Sequence, residues 1–366
     1  MQIDELQAWL RFAYAEITPR AAHAVLDRFG SPLEAFKAVP DDLGSVPELT
    51  SEQLRRLVAA SKLSVDEQIE LVQRGDVSLI TRDAPDYPVP LQDVVDRPPL
   101  LFVRGRIDQR DRFAIAIVGT RRPSPYGRAV TARLSHELSD YGLTVVSGGA
   151  LGIDSVAHRT VVAHRGRTLV VLGCGCKVRY PVDNQDLFDR IVEEDLGAVI
   201  SEFPLGATPE AWRFPMRNRV ISGLSLGVVV VEAGEQSGAL ITAGYAADQG
   251  REVMAVPGNI DNSCSAGTNA LIRDGARLVT SGRDVAETVG VLVLRSTDAP
   301  APRTPLPELS DIQRKILEYI DLTPRHLDVI AHEADLDQSQ VSAQLTLLEL
   351  RGIVYRQPGG TFVRAL

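Results

Sequence analysis

The chain has 366 residues, 44% of them hydrophobic and 24% charged, the balance of an ordinary globular protein with room for two or three domains. Its net charge of −9 excludes a uniformly basic surface for a polyanion, and no apolar run approaches the roughly 18 residues of a membrane helix. Met1-Gln2-Ile3-Asp4-Glu5-Leu6 carries early acids and no basic stretch, so no secretory signal and no membrane association are expected. Cys174, Cys176 and Cys264 are too few for a disulfide framework or a four-cysteine zinc site, which fits a cytoplasmic location without a structural metal.

The first 75 residues read as short helices over 2–16, 20–29, 33–38, 40–43, 51–57 and 61–74, with Phe29-Gly30-Ser31-Pro32 as a stop followed by a new start. Val46-Pro47-Glu48-Leu49-Thr50 stands where a helix-hairpin-helix motif would place its hairpin, but the glycines are missing. A structural or protein-facing role is therefore at least as well supported as DNA contact. From about residue 76 to 295, strand-length apolar runs at 114–118, 144–146, 168–172, 198–200, 227–231, 252–256 and 277–280 alternate with helical stretches. Continuously apolar runs such as Val228-Val229-Val230-Val231 suit parallel strands covered on both faces, so a doubly wound, mainly parallel Rossmann-like α/β sheet is expected.

Residues 296–309, with prolines at 300, 302, 305 and 307, read as a linker. Beyond it, in residues 310–366, helices are expected at 312–320, 327–334 and 338–350, followed by strands at 353–356 and 361–364 around Gln357-Pro358-Gly359-Gly360. Three helices and a hairpin make a winged-helix outline. Its third helix carries Ser339, Gln340, Ser342 and Gln344 and no basic residue, which favours partner binding or packing over reading of DNA.

Acids outnumber bases in all three parts of the chain, so a polyanion site must be a local concentration of arginine; only Lys37, Lys62, Lys177 and Lys315 are lysines. The richest stretch is Val145-Val146-Ser147-Gly148-Gly149-Ala150-Leu151-Gly152-Ile153-Asp154, an apolar run ending in a glycine loop that opens into a helix. Glycines let backbone approach a phosphate, and the helix start points free N–H groups at it. Asp154 would repel a phosphate unless it caps the helix or binds a hydroxyl. Gly119 with Arg121 and Arg122 follows another strand, and Ser237, Gly238 and Thr242 open a further helix. Phe214-Pro215-Met216-Arg217-Asn218-Arg219 offers Arg217 and Arg219 as a phosphate clamp and Asn218 as a partner for base or sugar. Lys177, Tyr180 and Phe188 mix charge with aromatic rings, as a surface following a single strand does. There is no nucleophile elbow, no lysine-bearing phosphate loop and no metal-ligand spacing; Glu202 and Glu232 at strand ends lack a visible catalytic partner.

Taken together these segments closely resemble the DNA processing protein A (DprA/Smf) family. The matching motifs are Asp86-Tyr87-Pro88, Pro98-Pro99-Leu100-Leu101-Phe102-Val103-Arg104-Gly105, Ile117-Val118-Gly119-Thr120-Arg121, Ser147-Gly148-Gly149-Ala150 with His158, and Tyr180-Pro181 with Asn184. Further matches are Ser201-Glu202, the Phe214–Arg219 stretch, Ser237-Gly238 with Thr242-Ala243, and Pro257-Gly258 with Gly275-Ala276. The resemblance implies a protein that binds single-stranded DNA without cutting it and needs no cofactor. Such proteins act as recombination mediators in natural transformation, protecting the strand, helping to displace single-strand binding protein and loading RecA. It further implies an extended Rossmann domain with Gly119 and Arg121 in its DNA pocket, and an N-terminal helical (SAM-like) module beside the winged helix. A homodimer is also implied, with Thr268, Leu271, Ile272 and Leu278 as the expected face. The alternative class is an enzyme resembling the cytokinin-activating phosphoribohydrolases. Their Pro-Gly-Gly-x-Gly-Thr signature and its glutamate would fall near residues 235–244, where that glutamate is missing.

Overall fold

The apolar runs become strands of a single sheet. The computed structural model describes residues 2–290, 309–321, 325–350, 353–357 and 360–364. Its first nine strands are β1 (Ser78–Thr81), β2 (Leu100–Gly105), β3 (Ala114–Val118), β4 (Thr144–Ser147), β5 (Thr168–Val171), β6 (Gly197–Ser201), β7 (Gly227–Val230), β8 (Glu252–Ala255) and β9 (Arg277–Leu278). They lie in the order β1-β2-β6-β5-β4-β3-β7-β8-β9. Every pair from β6 across to β9 is parallel, while β2 runs antiparallel to β6 and β1 to β2. The doubly wound, mainly parallel sheet is thus present, with β1 and β2 as an antiparallel extension beyond the expected strands.

Both faces are buried, which is why the runs are apolar without interruption. On β3, Ala114, Ala116 and Val118 face one core and Ile115 and Ile117 the other. Val220, Ile221, Ala239 and Ala243, from helices Arg213–Gly223 and Gly238–Asp248, complete the first core. Val130, Leu134, Ala157 and Val161, from helices Pro125–Asp140 and Ile153–Ala163, complete the second. From β3 the chain steps outward through β4, β5 and β6, then returns to place β7, β8 and β9 on the opposite side. The loops after β3 and β7 therefore diverge, and a crevice opens at the carboxyl ends of the strands.

The N-terminal helices are Ile3–Tyr14, Pro19–Phe29, Pro32–Lys37, Pro40–Gly44, Ser51–Ala60 and Asp66–Gln73. Side-chain caps set several starts: Ser31 accepts from Glu34 N at 3.2 Å, and Thr50 and Gln53 form a reciprocal capping box. The last helix is shorter than expected, since Ser61 closes the preceding one. This segment is not free-standing. Leu10, Leu26 and Leu57 share a core with Leu100 and Phe102 of β2 and with Cys176 and Leu205. Ion pairs Arg213–Glu16 (2.8 Å) and Arg82–Asp27 (2.5 Å), and the contact of His23 Nε2 with Arg97 O (2.9 Å), tie it further to the sheet.

Near the C-terminus, helix Asp311–Glu318 is followed by β10 (Arg325–His326), then by helices Leu327–Glu333 and Gln338–Leu350, then by β11 (Val354–Gln357) and β12 (Thr361–Arg364). The strands pair in the order β10-β12-β11, and Ile316, Ile330, Val341, Leu345, Leu348 and Phe362 form a separate core. This is the expected winged helix, with β10 as a third strand. The linker expected at 296–309 lies outside the described residues apart from Leu309, as do Pro358 and Gly359 of the hairpin turn.

Candidate nucleic-acid interface

The glycine loop after β4 is built so that only glycine fits. Gly149 (φ +68°) and Gly152 (φ +93°) occupy the left-handed region, and a Cβ on Gly152 would lie 2.4 Å from Thr120 O. A Cβ on Gly148 would meet the Arg217 guanidinium at 2.7 Å. The loop's carbonyls are tied inward. Arg217 Nη1 donates to Gly148 O at 2.7 Å and to Val171 O, while Asn184 Nδ2 donates to Gly149 O at 3.0 Å and to Ser155 Oγ at 2.7 Å. Among the described residues the amides of Leu151 and Gly152 have no partner. Such a loop offers N–H groups to an anion.

Asp154 is buried in the first turn of the following helix and accepts from Ala150 N at 3.2 Å, so it closes the loop. Burial raises its pKa, and the nearby Arg217 charge opposes that rise. Burial in turn lowers the Arg217 pKa to about 10. His158, one turn on, is a core histidine: Nδ1 lies 2.7 Å from Thr168 Oγ1, and burial lowers its pKa to about 3.

Arg121 and Arg122 follow β3, are exposed, and have no acidic partner among the described residues. The Arg121 guanidinium stands 5.5 Å over the Phe214 ring, and Tyr180 packs on the same ring at 5.8 Å. A cation and two aromatic faces thus come together from two loops and the first turn of helix Arg213–Gly223. They border a cavity of about 560 Å³, lined also by Arg122, Gly148, Leu151, Gly173 and Val182. A second cavity, of about 880 Å³, lies in the crevice between the loops after β3 and β7. Arg121, Ala150, Phe214 and Arg217 line both cavities.

The remaining expected site residues divide. Gly119, Asn218, Ser237, Gly238 and Thr242 line the second cavity. Arg219 points elsewhere: it is 2% exposed and pairs with Glu202 and, at 3.5 Å, with Asp96. Residues two apart on a helix project about 200° apart, so Arg217 and Arg219 cannot clamp one phosphate. Arg217 itself holds the glycine loop with its donors. Phe188 is buried beneath Gly149, whose added Cβ would lie 2.8 Å from its ring, so it packs and offers no exposed face for a base. Asn184 is likewise buried and braces the loop from within. Lys177 pairs with Asp76 at 3.4 Å, away from the lining of both cavities.

Of the residues expected at a dimer face, Thr268 is buried within the chain, its hydroxyl donating to Ser265 O at 3.1 Å. Leu271 packs against the first core and Ile272 is half-buried, while Leu278 is 48% exposed on the edge strand β9. Glu202 is engaged with Arg219, and Glu232 accepts from Ser124 N (2.8 Å) and Oγ (2.5 Å), so both strand-end acids have structural partners. Burial pushes the Cys174 and Cys176 thiols up to about 11 and about 12. Phe214 lines both cavities, although the composition of its stretch draws attention to the arginines. Its spacing of three from Arg217 on a helix was the available signal, since such residues share a face.

Residues 78–290 match the model of the DNA recombination-mediator protein A family, and residues 299–360 match that of the DprA winged helix domain. Protein Smf of Synechocystis sp. is 33% identical with both chains covered in full. The structure of DNA processing protein A from Streptococcus pneumoniae superposes with a TM-score of 0.66 at 32% identity, covering 76% of this chain and 95% of that one. DNA processing protein A from Helicobacter pylori, whose structure is described by its single-stranded DNA binding mode, gives a TM-score of 0.51 at 28% identity, covering 58% and 95%. With its extended Rossmann-like sheet, glycine-arginine cavity and winged helix, this chain belongs to the DNA recombination-mediator protein A (DprA/Smf) family.

Proposed function

We propose that this protein binds single-stranded DNA without sequence preference through the cavity around Arg121, Phe214 and Tyr180, and acts non-enzymatically as a recombination mediator. The observation that carries the reading is an exposed, unpaired arginine stacked on an aromatic ring beside a loop with free backbone amides. A phosphate meets Arg121, Arg122 and the amides of Leu151 and Gly152, while bases lie against Phe214 and Tyr180. Ring faces accept any base, so such a site is sequence-tolerant. A duplex hides its base faces and cannot use them. The single-stranded DNA binding mode named for the Helicobacter pylori relative supports the same choice of ligand.

In this reading the bound strand is protected and handed to RecA, with single-strand binding protein displaced, in a homodimer that uses the exposed β9 edge at Leu278. Natural transformation and homologous recombination are the processes such a protein serves, in the cytoplasm. The test is single- against double-stranded DNA binding across a salt series, for wild type and Arg121→Ala. Preference for single strands is expected, with the Arg121→Ala slope of log affinity against log salt shallower by roughly 0.7 for each lost phosphate contact. Equal affinities and slopes for the two proteins would overturn the assignment.

A further inference from the structure

A third, small cavity of about 60 Å³ lies at the seam between the N-terminal helices and the sheet, and shares no lining residue with the two described above. A water-sized group takes about 30 Å³, so roughly two such groups fit. Glu202 lines the cavity with a side chain only 8% exposed. Arg219 donates to its Oε2, whereas Oε1 is buried and has no hydrogen-bond partner among the described residues. A buried carboxylate oxygen normally accepts a hydrogen bond, so the cavity calls for a donor. No other lining side chain supplies one. Trp212 Nε1 is spent on Glu210 at 2.8 Å, Glu16 is a second acceptor, and Pro19, Pro99 and Pro204 lack even a backbone N–H.

Charge points the same way. Arg213 is shared by Glu16 (2.8 Å) and Glu210 (3.0 Å), and Arg219 by Glu202 and Asp96 (3.5 Å). These ion pairs set four carboxylates against two guanidiniums, an excess of two negative charges at the seam. The Phe203 and Trp212 rings also line the cavity, and both already carry a cation: the Arg213 guanidinium stands 5.4 Å from one centroid and 4.9 Å from the other. A water molecule here would leave its own acceptor sites idle and the charge excess unchanged. An ammonium head has three donors, no acceptor and a positive charge.

We infer that this seam cavity is a binding site for the primary ammonium group of a small aliphatic amine, with the ammonium on Glu202 Oε1 and the first methylene against the Phe203 and Trp212 rings. Trp212 is 43% exposed, so the rest of the amine leaves along its ring to solvent. The lining includes Ala13 of helix Ile3–Tyr14 and Met216 of helix Arg213–Gly223, so a bound amine joins the N-terminal helices to the helix that carries Phe214.

The test is calorimetric titration of the full chain with n-butylamine hydrochloride, and with tetramethylammonium chloride as a cation of equal charge that has no N–H. Saturable one-to-one binding of butylamine, and none of tetramethylammonium, is expected. Glu202→Gln keeps the size of the side chain and an acceptor for Arg219 but removes the charge, and should weaken butylamine about ten-fold or more. Trp212→Leu removes part of the aromatic wall at an exposed position and should weaken it about five-fold. Ala13→Leu fills the cavity from a half-buried helix position, keeps every charge, and should abolish binding. Melting curves establish which variants fold, and the last two decide the matter if Glu202→Gln does not. No saturable butylamine binding by the wild type, equal binding of tetramethylammonium, or full affinity in any folded variant would overturn the inference. None of these outcomes involves DNA, so the strand assignment stands or falls separately.

Discussion

Arg217 shapes the glycine loop after β4. Its guanidinium is buried, bonded to Gly148 O and Val171 O, and placed to oppose the buried charge of Asp154. Removing one member of such a buried set leaves the other charge uncompensated, at a cost of about 3–5 kcal/mol. Arg217→Met is therefore expected to lower stability by that order in urea denaturation, in contrast to exposed Arg121, whose loss should leave stability within about 0.5 kcal/mol. An Arg217→Met protein as stable as wild type would contradict this role. The motif itself shows what sequence carries and what it hides. The arginine-rich stretch marks the site, but Arg217 enters the loop and Arg219 a Glu202 pair only because helical geometry turns them apart, and which one faces the cavity depends on the packing of the helix.

His158 gives a pH signature at the same scale. Burial holds its pKa at about 3, against 6.5 for the free group, so between those values the unfolded chain binds more protons than the folded one. The contribution is intact above the unfolded value and declines as pH falls, by about 1.4 kcal/mol per pH unit. His158→Gln should flatten the loss of stability between about pH 6 and pH 4, measured by urea unfolding. Parallel curves for the two proteins would show that His158 is not neutral in the fold.

Helix Arg213–Gly223 links three parts of the molecule. Arg213 at its start pairs with Glu16 of the N-terminal helices, Phe214 and Arg217 face the cavities, and Val220 and Ile221 enter the core of the sheet. The N-terminal segment consequently helps to hold the helix that lines both cavities. Deleting residues 2–75 would uncover Leu100 and Phe102 on β2, and the truncated protein should bind a hydrophobic dye strongly and unfold at lower temperature than the full chain. A truncated protein with full thermal stability and no dye binding would contradict the shared core. The helical pattern ends near residue 75, which marks a boundary in the sequence; the packing across β2 depends on residues far apart in the chain. The central strands were legible because burial on both faces makes them continuously apolar. β1, as long as β4, has only one buried residue, Ile80, and so carries little of that signal.

For the whole molecule, a net charge of −9 confines any DNA site to a small positive locus, and the unpaired Arg121 and Arg122 at the sheet's carboxyl edge supply one. The winged helix has its own core, and its Gln338–Leu350 helix contains no basic residue, so it contributes little electrostatic attraction to DNA. In the proposed binding mode the strand lies against Phe214 and Tyr180. The most direct measurement is ultraviolet crosslinking of a bromodeoxyuridine-substituted single strand to the full chain, with the adducts mapped by peptide mass spectrometry. Adducts at Phe214 and Tyr180, lost when unlabelled single strand competes, are predicted. Adducts confined to the winged helix or the N-terminal helices, with none at these two rings, would contradict the account.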